Sequence, residues 1–446
     1  MLSINRSDSE LQSMLISTLQ REVTPAMGCT EPVAVALAVA KARELLSDQE
    51  DVLKISVSVS PNIYKNGLAV GIPGTREVGL VIAAALGFTS GDSKNDLKVL
   101  STVSETDLPK AKALIQSGIL ELNMLDTSHK VHIEVVINSK NSDSKAIIMD
   151  RHNQFVYLKS DGNILLNTEI SSDFTAACEN PLLDESFITL IKTIEAVPYE
   201  SIEFLLQGAT MNRLVADYGL QNSAGMQVGK TLQSKVEKGL LTDDLMTRAM
   251  ILTSSASDAR MDGISLPVMS SNGSGNNGLT AILPIVAYSE LYSTDAESMA
   301  RAIAMSHIVN SYIKNAIGRL SALCGCGVAA GTGASVAISW LMGGNYAQLE
   351  ATVKNMLANT SGMICDGAKV GCALKLATSA SAAIQSALLA TSDICVPAHN
   401  GIIGDTVEKT VDNLRILSNE GMMKTDAVML DIMRSMQQDE MLSSLS

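Results

Sequence analysis

The spacing of apolar residues changes period along the chain. Over residues 9 to 20 and 30 to 47 they recur at helical intervals. The second run, "TEPVAVALAVAKARELL", opens as a helix start: Thr30 is placed to cap it and Glu31 suits the positive end of the dipole. Pro32 is tolerated there because its missing N–H would be unpaired in any case. The pattern then alternates. In "VLKISVSVS" Leu53, Ile55, Val57 and Val59 share one face and Lys54, Ser56, Ser58 and Ser60 the other, which predicts a half-buried strand; "PNIYKNG", residues 61 to 67, then reads as a loop. Helical runs near 75 to 87 and 106 to 117 alternate with strand-like runs near 97 to 101, 131 to 138, 145 to 150, 154 to 159 and 164 to 167. Beyond roughly residue 180 the strand pattern stops and helical stretches rich in Ala, Met, Ser and Gly continue to the end. The expected class is therefore α+β. An N-terminal α/β domain with N-terminal helices spans 1–180, and a mostly all-helical, small-residue-rich domain spans 181–446.

Composition narrows the function. With 446 residues and 46% hydrophobic content the chain can build a large core, and only five Phe and one Trp mean that Leu, Ile, Val, Met and Ala must fill it. A net charge of -14 argues against a nucleic-acid partner, since 33 Lys and Arg scattered among 47 acidic residues make no basic face. The uncharged stretch from Leu320 to Leu349 is long enough to cross a bilayer, but Gly, Ser, Thr and Ala dominate it and no aromatic belt flanks it, so a buried core segment is expected and no membrane partner. "MLSINRSDSELQ" lacks the basic and apolar regions of a secretory signal, which predicts a cytoplasmic location. Seven cysteines in a reducing compartment are poor candidates for disulfides and better ones for metal ligands or reactive thiols.

Those cysteines are grouped. Cys324 and Cys326 lie in "ALCGCGVAAGTGAS", Cys365 and Cys372 in "GMICDGAKVGCALK", and Cys395 in "SDICVPAHNG". Glycine-flanked, irregular backbone leaves N–H groups free to bond sulfur, which suits a metal or cluster; packing of small buried thiols is the alternative. There is no C-x2-C zinc spacing. Cys29 stands alone upstream, directly before a helix start, where a thiol's pKa is expected to fall. "SSNGSGNNG", Ser270 to Gly278, puts Ser271, Asn272, Asn276 and free backbone N–H groups ahead of a helix, an arrangement suited to an anion such as a carboxylate.

Taken together, "MGCTEP", "NIYKNGLAVGIPGT", "SSNGSGNNGLTAILPI", "IGRLSALCGCGVAAGTGAS", "GMICDGAKVGCALK" and "HNGIIGDTVEKT" resemble the L-cysteine desulfidase family, whose helical domain is similar to that of the iron-sulfur L-serine dehydratases. The resemblance runs from about residue 14 to about 435. It implies a [4Fe-4S] cluster held by three cysteines with one iron open to substrate. Cys365 and Cys372 match the downstream ligands. Cys324 and Cys326 both offer the upstream one, and the position relative to the following "LMGG" favours Cys324. Cys29 matches the family's N-terminal cysteine, to which proton transfer is ascribed, with Glu31 as the other base at hand. Cys178 and Cys395 read as structural.

The implied reaction is β-elimination of L-cysteine to hydrogen sulfide, pyruvate and ammonia. The partner is thus a small amino acid, and the sequence is compatible with a homo-oligomer. Two rivals stand beside it. The same cluster could expel hydroxide from L-serine, although the chain lacks the dehydratases' paired-serine-histidine signature. A pyridoxal-phosphate β-eliminase would run the same reaction through a Schiff-base lysine, for which Lys314, Lys369 and Lys375 are available. Lys65, Asn66 and Arg319 are further residues that could close around a substrate.

Overall fold

The computed structural model describes residues 6–47, 51–72, 74–75, 77–127, 129–168, 181–318 and 321–444, with side-chain surroundings as far as 436 apart from Glu105. Cys178 and Arg319 lie outside these residues. The fold is mixed α+β. Six strands form one sheet in the order Leu120–Met124, Val52–Val59, His132–Ser139, Asp143–Met149, Phe155–Ser160 and Asn163–Asn167, the first pair parallel and the rest antiparallel. The helix Thr30–Glu44 is apolar on nearly every side and is accordingly buried all round, packed against that sheet and the helix Leu80–Thr89.

Three expectations need correction here. Residues 61 to 67 form a short helix, because Pro61 stands at its first position behind an extended Ser60. Residues 97 and 98 end the 3-10 helix Ser93–Lys98 and 99 to 101 are turns rather than a strand, and the missing strand is Leu120–Met124. Leu53 is exposed, since an irregularity in the ladder between Val52 and Lys54 turns it away from the face that Ile55, Val57 and Val59 bury.

Two apolar cores result. One joins the sheet to residues 33 to 111. The other is built by the helices Leu245–Met261, Gly275–Tyr292, Ala296–Ile317, Gly331–Leu341 and Cys372–Thr391, and Leu15, Leu19 and Val23 from the N-terminal segment pack into it as well. Gly331 to Ser339 are buried throughout, as the uncharged stretch requires. Among the described residues one helix, Cys372–Thr391, is long and apolar enough to cross a bilayer, and 56% of its apolar window is buried inside the protein.

A two-stranded antiparallel ladder ties the N-terminal segment to the helical core. Pro25–Met27 pairs with Pro267–Met269, the Ser270 N–H donates to the Thr24 carbonyl at 2.9 Å, and the Asn272 N–H donates to that of Glu22 at 3.0 Å. Gly278 makes the packing behind the ladder possible, because a Cβ there would overlap the Met269 carbonyl.

Candidate active site

This ladder delivers Cys29 to the loop Ser270–Gly278. Gly28 turns the chain with φ 64°, and Cys29, rather than Thr30, is the residue that caps the helix; its side chain makes no capping bond, and Thr30 donates to Glu31 instead. Cys29 is buried against Val70, Met261, Ala368 and Cys372. Burial pushes its thiol up to about 11, while the neighbouring Arg260 pulls in the other direction. The lowered pKa expected from a helix start is therefore not what the fold delivers: the same helix that offers its dipole also removes the thiol from water.

The downstream cysteines also come together. Leu323 and Ile364 form an antiparallel bridge, with the Cys324 N–H donating to the Met363 carbonyl at 2.8 Å and the Cys365 N–H to that of Ala322 at 2.7 Å. A π-helical turn, Cys326–Ala330, follows at once and leaves the Gly327 N–H free to donate to Cys324 Sγ at 3.4 Å. Cys372 begins the helix Cys372–Thr391 and packs against the cluster formed by Cys29, Val70 and Met261, close enough for its charge to act on Cys29. The Cys326 thiol donates to Cys324 and holds it at about 6, itself being pushed up in turn, while burial raises Cys372. Charges on Cys324, Cys326, Cys365 and Cys372 act on one another, and Lys314 and Lys375 offset them. Cys395 stands apart, exposed, its thiol against the Val396 carbonyl.

Soft thiols on open backbone, one receiving an amide N–H and flanked by lysines, are a donor set that fits an iron-sulfur cluster. Among the described residues no three His, Cys, Asp or Glu side chains close on a single metal ion. A cluster does not ask for that, because each thiolate meets a different iron.

The other proposed binding residues face two ways. Asn276 is buried and its Oδ1 accepts from Arg260 Nη1 at 3.2 Å, while Arg260 Nη2 donates to the Gly28 carbonyl at 3.0 Å, so one guanidinium spans the loop and the residue before Cys29. Ser271 and Asn272 turn instead to the helix Ala296–Ile317. Asn272 Nδ2 and Asn310 Nδ2 each donate to Ser271 Oγ, at 3.1 and 2.9 Å; with both lone pairs used, the hydroxyl gives its own hydrogen to His307 Nδ1 at 2.9 Å. Asn272 Nδ2 also reaches Ser311 Oγ at 3.1 Å.

Arg260 went unnoticed in the sequence, as did His307, Asn310 and Ser311, and Lys314 was named only as a Schiff-base candidate. The last four had a signal, since positions i, i+3, i+4 and i+7 put four polar residues on one face of a helix that is otherwise apolar and buried. Arg260 had none. Lys65 is paired with Asp426 at 2.7 Å, and Lys369 and Lys375 both hold Asp366, which keeps that carboxyl at about 2 against the cost of its burial. Lys314 lies against Gly325, between the two upstream cysteines in sequence.

Residues 94–431 match the serine dehydratase alpha chain family. Proteins named UPF0597 resemble the chain over almost its whole length. That of Alkaliphilus oremlandii (strain OhILAs) is 55% identical over 428 residues, covering 96% of this chain and 99% of the relative. That of Alkaliphilus metalliredigens (strain QYMF) is 54% identical over 428 residues, covering 96% of each. A UPF0597 protein of Clostridioides difficile (strain 630) is 50% identical over 422 residues, covering 94% of this chain and 98% of the relative. With its grouped downstream thiols, its loop Ser270–Gly278 and most of its length inside that match, the chain belongs to the serine dehydratase alpha chain family, among the UPF0597 proteins.

Proposed function

We propose that the chain is a lyase that eliminates hydrogen sulfide from L-cysteine, a cysteine desulfidase. The observation that supports this reading is the meeting of Cys29 with the grouped thiols of Cys324, Cys326, Cys365 and Cys372, drawn from segments far apart in sequence. Cys324, Cys365 and Cys372 would hold a [4Fe-4S] cluster. When bound, such a cluster supplies an iron with an open position, a Lewis acid for the leaving group.

The chain's own residues do the rest. Cys29, packed in the same cluster as Cys372, is the proton-transfer group at the substrate's Cα; of the loop residues Asn276 stands beside it through Arg260, while the side-chain donors of Ser271 and Asn272 are taken up by His307 and Ser311. Loss of the Cα proton and the C–S bond gives sulfide and 2-aminoacrylate. The latter tautomerises to an imine, and water converts it to pyruvate and ammonia. Burial of Cys29, Asn276 and Arg260 keeps bulk water from the base.

The family match favours a second reading, L-serine dehydration, which differs only in the leaving group. One experiment separates the two. Protein reconstituted anaerobically with iron and sulfide is assayed with L-cysteine and L-serine side by side: sulfide and pyruvate from cysteine, at a higher kcat/KM than pyruvate from serine, support the desulfidase, and the reverse order supports the dehydratase. Turnover that requires added pyridoxal phosphate and is trapped by borohydride would discard both.

A further inference from the structure

Arg260 is buried, 7% exposed, and the partners of its guanidinium are two carbonyl oxygens and the Cys29 thiol rather than a carboxylate. A guanidinium out of water needs compensation, and what surrounds this one is the wrong sign. It touches Gly28, just before the helix Thr30–Glu44, and Asn276, in the first turn of the helix Gly275–Tyr292. Cys29 beside it shares a cluster with Cys372, which begins a third helix. Two positive helix ends therefore meet a cation, and a third begins in the cluster that holds Cys29. Two carbonyl oxygens, from Gly28 and Asn276, and the neutral Cys29 thiol answer only part of that charge.

Part of the guanidinium is unused. Arginine carries five N–H donors, and Arg260 Nε has no partner. That nitrogen lies against Gly275, where a Cβ would overlap it, so the first residue of the helix is held to a size that lets the guanidinium sit at the helix end. A buried arginine, an unpaired donor and converging helix N-termini make a receptor for an anion.

We propose that Arg260 is the carboxylate anchor of the site, taking the α-carboxylate of an amino-acid substrate in a charge-assisted pair while Asn276 fixes the plane of its guanidinium. The assignment rests on the amino-acid lyase reading and narrows its substrates to those with a free α-carboxylate. Esters, amides and peptide-linked residues are excluded. Because Arg260 also touches the residue before Cys29, an anchored carboxylate sets the adjacent Cα within reach of that thiol.

The test compares acid with amide in binding as well as turnover. Reconstituted protein is titrated with L-alanine, which has no leaving group, and with L-alaninamide, by calorimetry and by thermal shift. Wild-type protein is expected to prefer the acid by about 100-fold, and Arg260→Gln to lose that preference while retaining its visible cluster absorbance. Arg260→Lys, which keeps charge without the fork, falls between, and carries the comparison alone if the glutamine variant does not fold. For turnover, KM for the amino acid rises more than kcat falls. Wild-type protein that binds acid and amide equally, or neither, overturns the assignment, as does Arg260→Gln with an undiminished preference. Absence of elimination from cysteine and serine, with acid preference intact, would sink the lyase reading and leave the anchor standing.

Discussion

Lys65 and Asp426, 361 residues apart, form an ion pair of 2.7 Å in which the lysine is 3% exposed and the aspartate 32%. Lys130, itself lowered chiefly by burial, feels Lys314, Asp426 and Lys65, so the carboxylate acts on Lys130 as well as on its partner Lys65. Removing it leaves buried positive charge with less to offset it. Asp426→Asn is expected to destabilise by about 2 kcal/mol, below the cost of breaking a fully buried pair because the aspartate is partly solvated. Chemical denaturation measures the loss. The helix that begins at Met423 should also become the first target of limited proteolysis.

His307 makes stability depend on pH on the acid side. Burial alone takes its pKa from 6.5 to about 3. Between those values the unfolded chain binds a proton that the folded chain refuses, so stability falls as pH drops below about 6.5, by up to about 1.4 kcal/mol per unit. His307→Gln removes that contribution. Denaturation at pH 7, 6 and 5 should show a shallower acid slope for the variant, whatever its stability at pH 7. Equal slopes would mean that His307 is hydrated or charged in the folded state.

How much of this was legible depends on whether the cause is local. The alternation in 52–59 and 132–139 follows from side chains taking opposite faces, and the sheet is where it was expected. Leu120, Leu122 and Met124 alternate as well, but five residues with Glu and Asn between them are too short a run to distinguish from a loop. Residues 61 to 67 misled because Pro, Asn and Gly signal turns, whereas Pro61 after Ser60 is equally a helix start. The position of Cys29 at a helix N-terminus is local and was readable; its raised pKa is not, because burial comes from Val70, Met261 and Ala368. Arg260 meets Gly28 only after the ladder Pro25–Met27 with Pro267–Met269 has formed, and no spacing encodes that.

That ladder can be tested at one glycine. Gly278 packs so closely on the Met269 carbonyl that even a methyl group has no room, and the atom in the way is backbone. Gly278→Ala must push the helix Gly275–Tyr292 away from Pro267–Met269, at about 2 to 3 kcal/mol. The same shift separates Asn276 from Arg260 and the loop from Cys29. A lower melting temperature and at least tenfold weaker binding of L-alanine are expected together; a stable variant with unchanged binding would show that the approach of loop to ladder does not shape the site.

The cysteines divide into three groups with different expected losses. Cys365→Ser and Cys372→Ser remove thiols that act on each other and should lower bound iron and abolish the visible absorbance. Cys395→Ser should change neither, since that thiol is exposed and far from the group in contacts. Cys324→Ser is expected to behave like the first pair, because Cys324 is the thiol that receives the Gly327 N–H and lies nearest ionisation. Cys326→Ser should keep its iron. Loss of iron from the Cys326 variant alone would reassign the upstream ligand. Cys29→Ala is the decisive member of the series, for it shares a cluster with Cys372 without being proposed as a ligand: iron and absorbance should remain, while elimination falls by at least about 100-fold, the contribution of one positioned proton-transfer group. A Cys29→Ala protein that loses its iron would make that residue a ligand and leave the removal of the Cα proton to Glu31, the other base within that first helical turn.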